Sequence, residues 1–431
     1  MFEDYFWVFL LVLAASAIFR DEAYFILLYL LIGVFLIGRW WGKRALETIH
    51  IQRSCPSRVF LGERVPVIVD VQQQGWLPLV WLRMQEKLPQ GLGITGTNRQ
   101  VVSLGPKGKA RLDYQLHASR RGYYRLGPLS LMSGDPFGIS GEYITEDDAQ
   151  SLIIYPRVVM LNAFSLPSRS PMGALKHHLP IYEDPTRVLS KRDYLSGDSL
   201  RRIDWKSSAS VGRLQVKQFE PSISLETMLF LNLKAMEYEL HTRYDSTELA
   251  IVVAASIANW AISRAQAVGL CTNGLDPLGV EEETNLQNLP VNKNVPVPAR
   301  SLNIGKGQQH LMRLLEILAR IQAAPEESQA QSFLELVRNQ RSSLPWGSTI
   351  LFITGHVEED LFNEIFSARR QGLIPVIIMV GKAPGVQSVQ EKAGIFNIAF
   401  YHILNELELD QWRTAGSGVL PLNLSAGNHA L

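Results

Sequence analysis

Two uncharged, strongly apolar runs near the N-terminus constrain this chain more than any other feature. The first run is Tyr5–Phe19 and the second is Ala23–Gly38, and only the charged residues 20–22 separate them. Such runs are typical of helices in the hydrocarbon core of a membrane, which takes roughly 17–25 residues to span. We therefore predict a transmembrane helical hairpin over residues 1–44. Because both runs are slightly short, a hairpin buried in one membrane face is the alternative.

The basic residues around these runs predict an orientation. Arg39, Lys43 and Arg44 follow the second run, whereas the turn between the runs contains Arg20 as its one basic residue. Basic residues are retained on the cytoplasmic side of a membrane. We therefore expect a cell-membrane protein with two helices, whose soluble domains after residue 44 are cytoplasmic.

The composition excludes several classes of function. The 431 residues carry 42 basic and 41 acidic side chains, a net charge of +1, so no overall field favours nucleic acid and no nucleic-acid partner is expected. The two cysteines, Cys55 and Cys271, lie far apart in the sequence. They provide neither the spacing of a zinc site nor a disulfide framework.

Residues 45–160 have the pattern of an antiparallel β-sandwich. The stretches RVPVIVDVQ (64–72) and ARLDYQLHA (110–118) alternate apolar and polar residues with a period of two, as strands with one buried face do. Turn residues recur between such runs, and short strands at this spacing favour a sandwich.

The pattern changes in the C-terminal half. Unbroken apolar runs predict buried strands at 227–233, 268–274, 349–354 and 374–380. Helical patterns lie between them at 246–269, 307–323, 329–341 and 357–371. This alternation predicts an α/β, Rossmann-like domain with a parallel sheet over residues 227–412. Residues 161–226 are predicted to be a linker, and the tail 413–431 has no clear pattern.

The linker contains the densest stretch of the chain, YLSGDSLRRIDWKSSASVGRLQVKQFEP (Tyr194–Pro221). Its pattern predicts a helix from Ser199 to about Ser210, with Asp198 as the N-cap. Gly212 would end this helix in the left-handed region, and an edge strand would follow. Spacing within the helix would let Arg201 contact the Trp205 ring and pair with Asp204.

The same stretch is strongly basic. Between Arg187 and Lys217, eight basic residues face three acidic ones, a local balance of +5. Such a patch suits an acidic partner surface or anionic lipid, whereas charge pairs inside the stretch would make it a structural clamp. We find no nucleophile–base pair and predict no catalytic residue. The residues of this possible docking site are Tyr194, Gly197, Asp198, Arg201, Arg202, Asp204, Trp205 and Lys206.

Three stretches together resemble the DUF58 family of bacterial membrane-anchored proteins. They are RRGYYRLGPLSLMSGDPFGI (Arg120–Ile139), LIIYPRV (Leu152–Val158) and the core of the basic stretch from Tyr194 to Lys206. Their order and spacing also match, and the resemblance covers nearly the whole chain. In the first stretch, the glycines and prolines alone indicate turns between short strands.

The resemblance implies a fold and a setting. The fold is an anchor, a β-sandwich and a von Willebrand factor A-like domain. The implied partners are a MoxR-type AAA+ ATPase and a transglutaminase-like membrane protein, besides the lipid bilayer. We therefore expect a membrane-anchored, non-enzymatic interaction or scaffold protein in an envelope-associated or chaperone-like complex. The alternative is an enzyme with an unrecognised site that acts on cell-envelope precursors.

One departure from the von Willebrand pattern bears on metal binding. Metal-binding domains of that type carry Asp-x-Ser-x-Ser after the first strand, but this chain has Asn232, Lys234 and Met236 there. Mg²⁺ prefers hard oxygen ligands, which an ammonium group and a thioether do not supply. We therefore predict a degenerate site with no metal, and no cofactor.

Overall fold

A computed structural model describes residues 10, 11, 13, 14, 22–89, 91–134, 141–146, 149–161, 164, 183–221, 226–277, 297–325 and 331–411. The chain divides into two compact units. The first comprises residues 1–157 and 315–321, and the second comprises residues 158–314 and 322–431.

The N-terminal part of the first unit contains a long apolar helix. Helix α1 (Glu22–Leu46) contains the whole second apolar run and continues for two further turns. Most of the first predicted run lies outside the described residues. Side chains such as Leu30 and Ile37 are exposed along α1, whereas Ala45 and Leu46 at its end are buried in the core of the β-strands. The apolar side chains along most of the helix are therefore exposed, and its C-terminal end is packed against the β-strands.

Eleven strands follow within the described part of the first unit. They are β1 (Ile49–Ser54), β2 (Arg58–Phe60), β3 (Arg64–Gln73), β4 (Leu79–Glu86), β5 (Gly93–Gly96), β6 (Arg99–Leu104), β7 (Lys109–His117), β8 (Gly122–Leu126), β9 (Leu129–Gly134), β10 (Gly141–Glu146) and β11 (Gln150–Tyr155). Two sheets are antiparallel, with orders β1-β3-β7-β5 and β10-β9-β4-β6. In the third sheet, β2-β11-β8, strand β11 pairs parallel to β2.

The core of this unit follows directly from the alternation in the sequence. Val65, Val67, Val69 and Val71 in β3 are all fully buried, and exposed or half-buried residues separate them. They share one cluster with residues of the opposite sheet such as Leu82. The antiparallel sandwich predicted from the period-two pattern is thus present.

The second unit begins with a β-hairpin inside the predicted linker. Strand β12 (Glu183–Asp193) and strand β13 (Gln215–Pro221) pair antiparallel, and helix α2 (Trp205–Val211) lies in the connection between them. We call the segment Glu183–Pro221 the signature hairpin. An α/β fold follows it.

The remaining elements form this α/β fold. All of them belong to the second unit except the end of the helix that begins at Gln308, because residues 315–321 belong to the first unit. They are β14 (Glu226–Leu231), α3 (Arg243–Ser263), β15 (Ala267–Thr272), β16 (Leu275–Asp276), β17 (Val297–Pro298), β18 (Leu302–Gly305), α4 (Gln308–Arg320), α5 (Phe333–Arg341), β19 (Thr349–Thr354), α6 (Glu359–Arg370), β20 (Ile374–Val380), α7 (Val386–Ile395), β21 (Ala399–Ile403) and α8 (Glu406–Gln411). Six of these strands form one sheet in the order β18-β15-β14-β19-β20-β21.

The sheet is parallel except at one edge. β14, β15, β19, β20 and β21 are parallel to their neighbours, and β18 pairs antiparallel to β15. The predicted parallel sheet and its helices are confirmed, and this arrangement is a doubly wound α/β fold. The tail 413–431, which has no clear sequence pattern, lies outside the described residues.

Candidate functional site

The tip of the signature hairpin differs from the predicted single helix. A 3₁₀ turn covers Leu200–Arg202, and α2 begins at Trp205. Between them, buried Ile203 has extended backbone angles (φ −65°, ψ 128°) and forms an antiparallel bridge with Val216 of β13. The helix predicted from Ser199 is therefore wrong, because this bridge holds the backbone extended before the helix begins.

The N-cap of this helix also differs from the predicted one. Asp204, and not Asp198, is the N-cap of α2, and its Oδ1 accepts a hydrogen bond from the backbone N–H of Ser207 at 3.1 Å. At the other end, Gly212 is left-handed (φ 73°) and its N–H bonds to the Ser208 carbonyl, as predicted. This pattern satisfies backbone groups at both ends of a helix of only two turns.

The carboxylates of Asp198 and Asp204 both pair with β12. Both Asp198 oxygens accept hydrogen bonds from Arg192 at 2.7 Å, and one also accepts from the Leu195 N–H at 2.9 Å. Asp204 Oδ2 lies 2.8 Å from Lys191 Nζ. The predicted pair between Arg201 and Asp204 is therefore wrong.

These pairs also shift the acidity of both carboxyl groups. The Arg192 guanidinium lowers the pKa of Asp198 below its ordinary value, and the Leu195 N–H adds to the effect. The hydrogen bond from Lys191 lowers the pKa of Asp204, and the Ser207 N–H contributes. Both groups are thus stable carboxylates at neutral pH, which suits structural clamps better than general acids.

The surface of the hairpin tip is apolar and cationic. Trp205 is 69% exposed, and the predicted contact between its ring and Arg201 is not formed. Arg201 and Lys206 are also exposed, and neither pairs with a carboxylate of the described chain. Four further apolar side chains of the tip are exposed: Leu195, Leu200, Val211 and Leu214. We call these seven residues the tip surface.

Three other predicted residues also lie at the tip, two of which support it through their backbone. The Tyr194 N–H donates to the Leu214 carbonyl at 2.8 Å and closes the end of the hairpin. Gly197 is left-handed at φ 111°, where a side chain would be strained. Arg202 is exposed, and its positive charge contributes to the lowered pKa of Asp198.

The first family motif builds strands of the β unit. Its described part, Arg120–Gly134, covers β8 and β9. Between them Gly127 is left-handed at φ 111°, and a Cβ there would lie 3.1 Å from the Arg53 guanidinium. The Tyr124 hydroxyl donates to the Arg120 carbonyl at 3.0 Å. These contacts are structural, and residues 135–139 lie outside the described residues.

A second polar cluster lies where strands β14, β15 and β19 end. Asn232 is fully buried, and its Oδ1 accepts hydrogen bonds from Asn273 Nδ2 at 2.8 Å and from the Lys234 N–H at 3.1 Å. Its Nδ2 donates to Thr354 Oγ1 at 3.0 Å and to the Glu237 carboxylate. All the hydrogen-bonding capacity of the Asn232 amide is therefore used within the protein.

The predicted degenerate metal positions lie in and beside this cluster. Asn232 is inside it, Lys234 pairs its backbone with Ala324, and the Met236 side chain is half exposed. Among the described residues, no group of three or more His, Cys, Asp or Glu side chains has the arrangement of a metal site.

Sequence reasoning did not find Glu237. Burial raises the pKa of its carboxyl group, hydrogen bonds from Asn232 and Thr354 oppose the shift, and the nearby Glu358 charge adds to it. The neighbouring Tyr238 hydroxyl is buried and donates to the Asn232 carbonyl at 2.6 Å. The available signal was position alone, because Glu237 follows the end of the central strand β14 by six residues.

The fold defines a class of protein: an antiparallel β unit that begins with an apolar helix, joined in sequence to a doubly wound α/β unit with a basic hairpin. Residues 190–278 match the family described as "Protein of unknown function DUF58". This match confirms the predicted resemblance to that family over residues 190–278. It includes most of the signature hairpin and the first β-α-β of the α/β sheet.

A relative from Bacillus subtilis (strain 168), "Uncharacterized protein YeaD", is 23% identical over 223 residues. The matched region is 51% of this chain and 54% of YeaD. The chain therefore spans about half the length of this relative.

Two solved structures resemble parts of the chain. The CARDB domain of the PF1109 protein from Pyrococcus furiosus is 18% identical, and the match covers 25% of this chain and 91% of that domain with a TM-score of 0.18. The alpha-2-macroglobulin of E. coli is 15% identical, and the match covers 25% of this chain and 7% of that protein with a TM-score of 0.20. Both TM-scores are too low for these likenesses to indicate a shared function.

Proposed function

We propose that this chain is a membrane-anchored, non-enzymatic interaction protein that docks a partner through the tip surface of its signature hairpin. The observation that carries the proposal is the tip surface itself. Exposed Trp205 and four exposed aliphatic side chains are held beside Arg201 and Lys206 on a segment fixed by internal ion pairs. Aromatic and arginine side chains in rigid positions are typical anchors of protein interfaces.

The membrane anchor is part of the proposal. By length and composition, two helices of the described chain could span a membrane: residues 25–46 of α1 and all of α3. Because α3 is mostly buried inside the protein whereas α1 is mostly exposed, α1 is the better candidate. The basic residues Lys43 and Arg44 near its end favour a cytoplasmic location for the two units beyond α1.

The α/β unit supports a von Willebrand factor A-like assignment within this proposal. Numbered within its own sheet, its strand order is 3-2-1-4-5-6, and strand 3 is the antiparallel edge strand. The closed amide cluster at Asn232 occupies the sheet edge where such an assignment would place a metal. A docking role that needs no metal is consistent with that cluster.

The family resemblance suggests the partner. A MoxR-type AAA+ ATPase is the first candidate, and a transglutaminase-like membrane protein is the second. The cationic tip favours an acidic, partly apolar surface on the partner, because Arg201 and Lys206 form no ion pair within the described chain.

The test is co-purification of the full chain with a co-expressed MoxR-type ATPase in detergent. The double variant Arg201→Ala/Trp205→Ala should fold normally, because both side chains are exposed, and should lose the ATPase. The control is Trp346→Ala, which removes an equally exposed tryptophan of the α/β unit and should retain it. Retention of the ATPase by the folded double variant would contradict docking at the tip surface.

One observation favours the alternative enzyme function. Glu237 has a raised pKa at the switch point of the sheet, between β14 and β19, where α/β proteins bind ligands. Its neighbour Thr354 contacts the His356 backbone, and the His356 Nδ1 atom is buried without a hydrogen-bond partner in the described chain. Hydrolysis of an envelope precursor that is lost in Glu237→Gln, with folding intact, would support the enzyme.

A further inference from the structure

The loop between β3 and β4 presents an exposed tryptophan beside the end of the apolar helix. Trp76 is 74% exposed. Two residues later, the Pro78 carbonyl accepts a hydrogen bond from the Trp41 indole N–H of α1 at 3.0 Å. The loop therefore reaches the level of Trp41, only about 5 Å along the helix axis from the end of the apolar run at Gly38.

The exposure of Trp76 is not the result of a loose loop. The Gln74 N–H donates to the Thr48 carbonyl at 3.0 Å, and the Gln73 amide donates to the Leu77 carbonyl at 2.9 Å. A Cβ on Gly75 would lie 2.6 Å from Thr48 Oγ1, so this residue packs closely on the turn after α1. Leu77 is buried. The backbone on both sides of Trp76 is fixed.

The residues near Trp76 indicate which surface its exposed ring contacts. Trp40 on α1 is also mostly exposed, and Lys43 and Arg44 are exposed in the next turn. Tryptophan at the end of an apolar span, followed by basic residues, is the arrangement found at the headgroup level of a membrane. Trp76 adds to this arrangement a second tryptophan from a different part of the chain.

We propose that Trp76 and Trp40 lie together in the headgroup layer of the bilayer, so that the β3–β4 loop rests directly on the membrane. This inference rests on the proposed anchoring of α1. A lipid surface is the proposed partner of the loop, because the exposed apolar residues of α1 extend to Trp40, next to the Trp41 that contacts the loop.

The test places an environment-sensitive fluorophore at single cysteines of the full chain, in a Cys55→Ser background, since Cys55 is half-buried and Cys271 is buried. Gln74→Cys reports on the loop with Trp76 intact, and Leu30→Cys reports on the middle of the apolar run. Lys87→Cys is the matched control, because Lys87 is exposed just beyond the far end of β4, about 26 Å away along that strand. The protein is reconstituted in vesicles of phosphatidylcholine and phosphatidylglycerol that carry a nitroxide on either the headgroup or the acyl chain.

We expect acyl-chain nitroxide to quench the Leu30 site, headgroup nitroxide to quench the Gln74 site, and neither to quench the Lys87 site. Adding Trp76→Ala should remove most of the headgroup quenching at Gln74. If the Leu30 site is quenched but the Gln74 site behaves like Lys87, the inference is overturned while the anchor stands. If Trp76→Ala changes nothing, the role of Trp76 is overturned. Absence of quenching at Leu30 would overturn the anchor, and this inference with it.

Discussion

Arg53 and Glu86 form an ion pair that is almost completely withdrawn from solvent in the β unit. Arg53 Nε lies 2.8 Å from Glu86 Oε1, and the two side chains are 3% and 0% exposed. The Tyr114 hydroxyl donates to the other Glu86 oxygen at 2.6 Å. Burial and this hydrogen bond to Glu86 raise the pKa of Tyr114, so the phenol remains a donor. The ion pair and the Tyr114 hydroxyl thus form a buried polar cluster.

Breaking this pair on one side should be costly. Glu86→Ala leaves the Arg53 charge buried without its carboxylate, and we expect the free energy of unfolding to fall by about 3–5 kcal/mol. Urea unfolding of the detergent-solubilised chain measures the change. The double variant Arg53→Met/Glu86→Leu should be more stable than Glu86→Ala, because it leaves no unpaired charge. Equal losses in both variants would argue against the ion pair as the cause.

Glu237 should make stability depend on pH. Its pKa is raised in the folded protein, so folding favours the protonated form. This stabilisation is complete below the ordinary glutamate pKa of about 4.3 and is lost as the pH rises through the folded-state pKa. Glu237→Gln keeps an acceptor for Asn232 without the buried charge. We expect its melting temperature to exceed that of the native chain at pH 8, and the difference to shrink towards pH 4.

The control for this prediction is Glu239→Gln, two residues away and exposed. The difference in melting temperature between this variant and the native chain should be the same at every pH. A native chain and Glu237→Gln variant with the same pH dependence would show that Glu237 titrates normally.

At the residue scale, the sequence predicted the positions of residues in the fold better than the contacts of their side chains. Asn232, Lys234 and Met236 were correctly placed after the first strand of the sheet, because the buried run before them marks where that strand ends. The predicted N-cap, Asp198, was wrong, and Asp204 caps the helix instead. The start of the helix depends on the bridge from Ile203 to Val216. Contacts of that kind join residues far apart in the sequence and leave no local pattern.

At the element scale, the signature hairpin depends on two cross-connections to β12. Arg192 holds Asp198 and thereby the turn at Leu195, whereas Lys191 holds the cap of α2. In Arg192→Ala, the Asp198 carboxylate loses its partner, and we expect faster hydrogen exchange at the Leu195 amide. Exchange in α3 should not change, because α3 belongs to the core of the sheet. Mass-spectrometric exchange distinguishes this local effect from unfolding of the whole unit.

The matched control for that experiment is Arg201→Ala, which removes an exposed arginine from the same tip. It should leave exchange at Leu195 as it is in the native chain. Equal acceleration in the two variants would contradict a clamp that acts through Arg192.

The elements predicted from sequence are those with strong periodic patterns. β19 and β20 are buried along almost their whole length and consist of unbroken apolar runs. The edge strands β18 and β21 were missed, as were α7 and α8. Edge strands are covered on fewer sides, so Leu302–Gly305 and Ala399–Ile403 mix polar and apolar residues and carry no clear period.

At the scale of the whole molecule, orientation in the membrane is the testable property. The cluster of basic residues after the apolar run predicts that everything beyond α1 lies on the cytoplasmic side. Trp346→Cys in the Cys55→Ser background provides an exposed thiol in the α/β unit. A membrane-impermeant maleimide should label it in inside-out membrane vesicles and not in intact cells. Labelling in intact cells would reverse the orientation.

The junction after α1 has a mechanical consequence. Helix α1 ends at Leu46 and β1 begins at Ile49, and both Ala45 and Leu46 are packed in the core of the strands. No flexible joint separates the helix from the β unit, so a tilt or rotation of the helix would turn the β unit with it. With α1 in a bilayer, that unit would stay at a fixed height and search for partners in two dimensions. Its effective concentration towards other proteins of the same membrane would then be set by geometry and not by a linker.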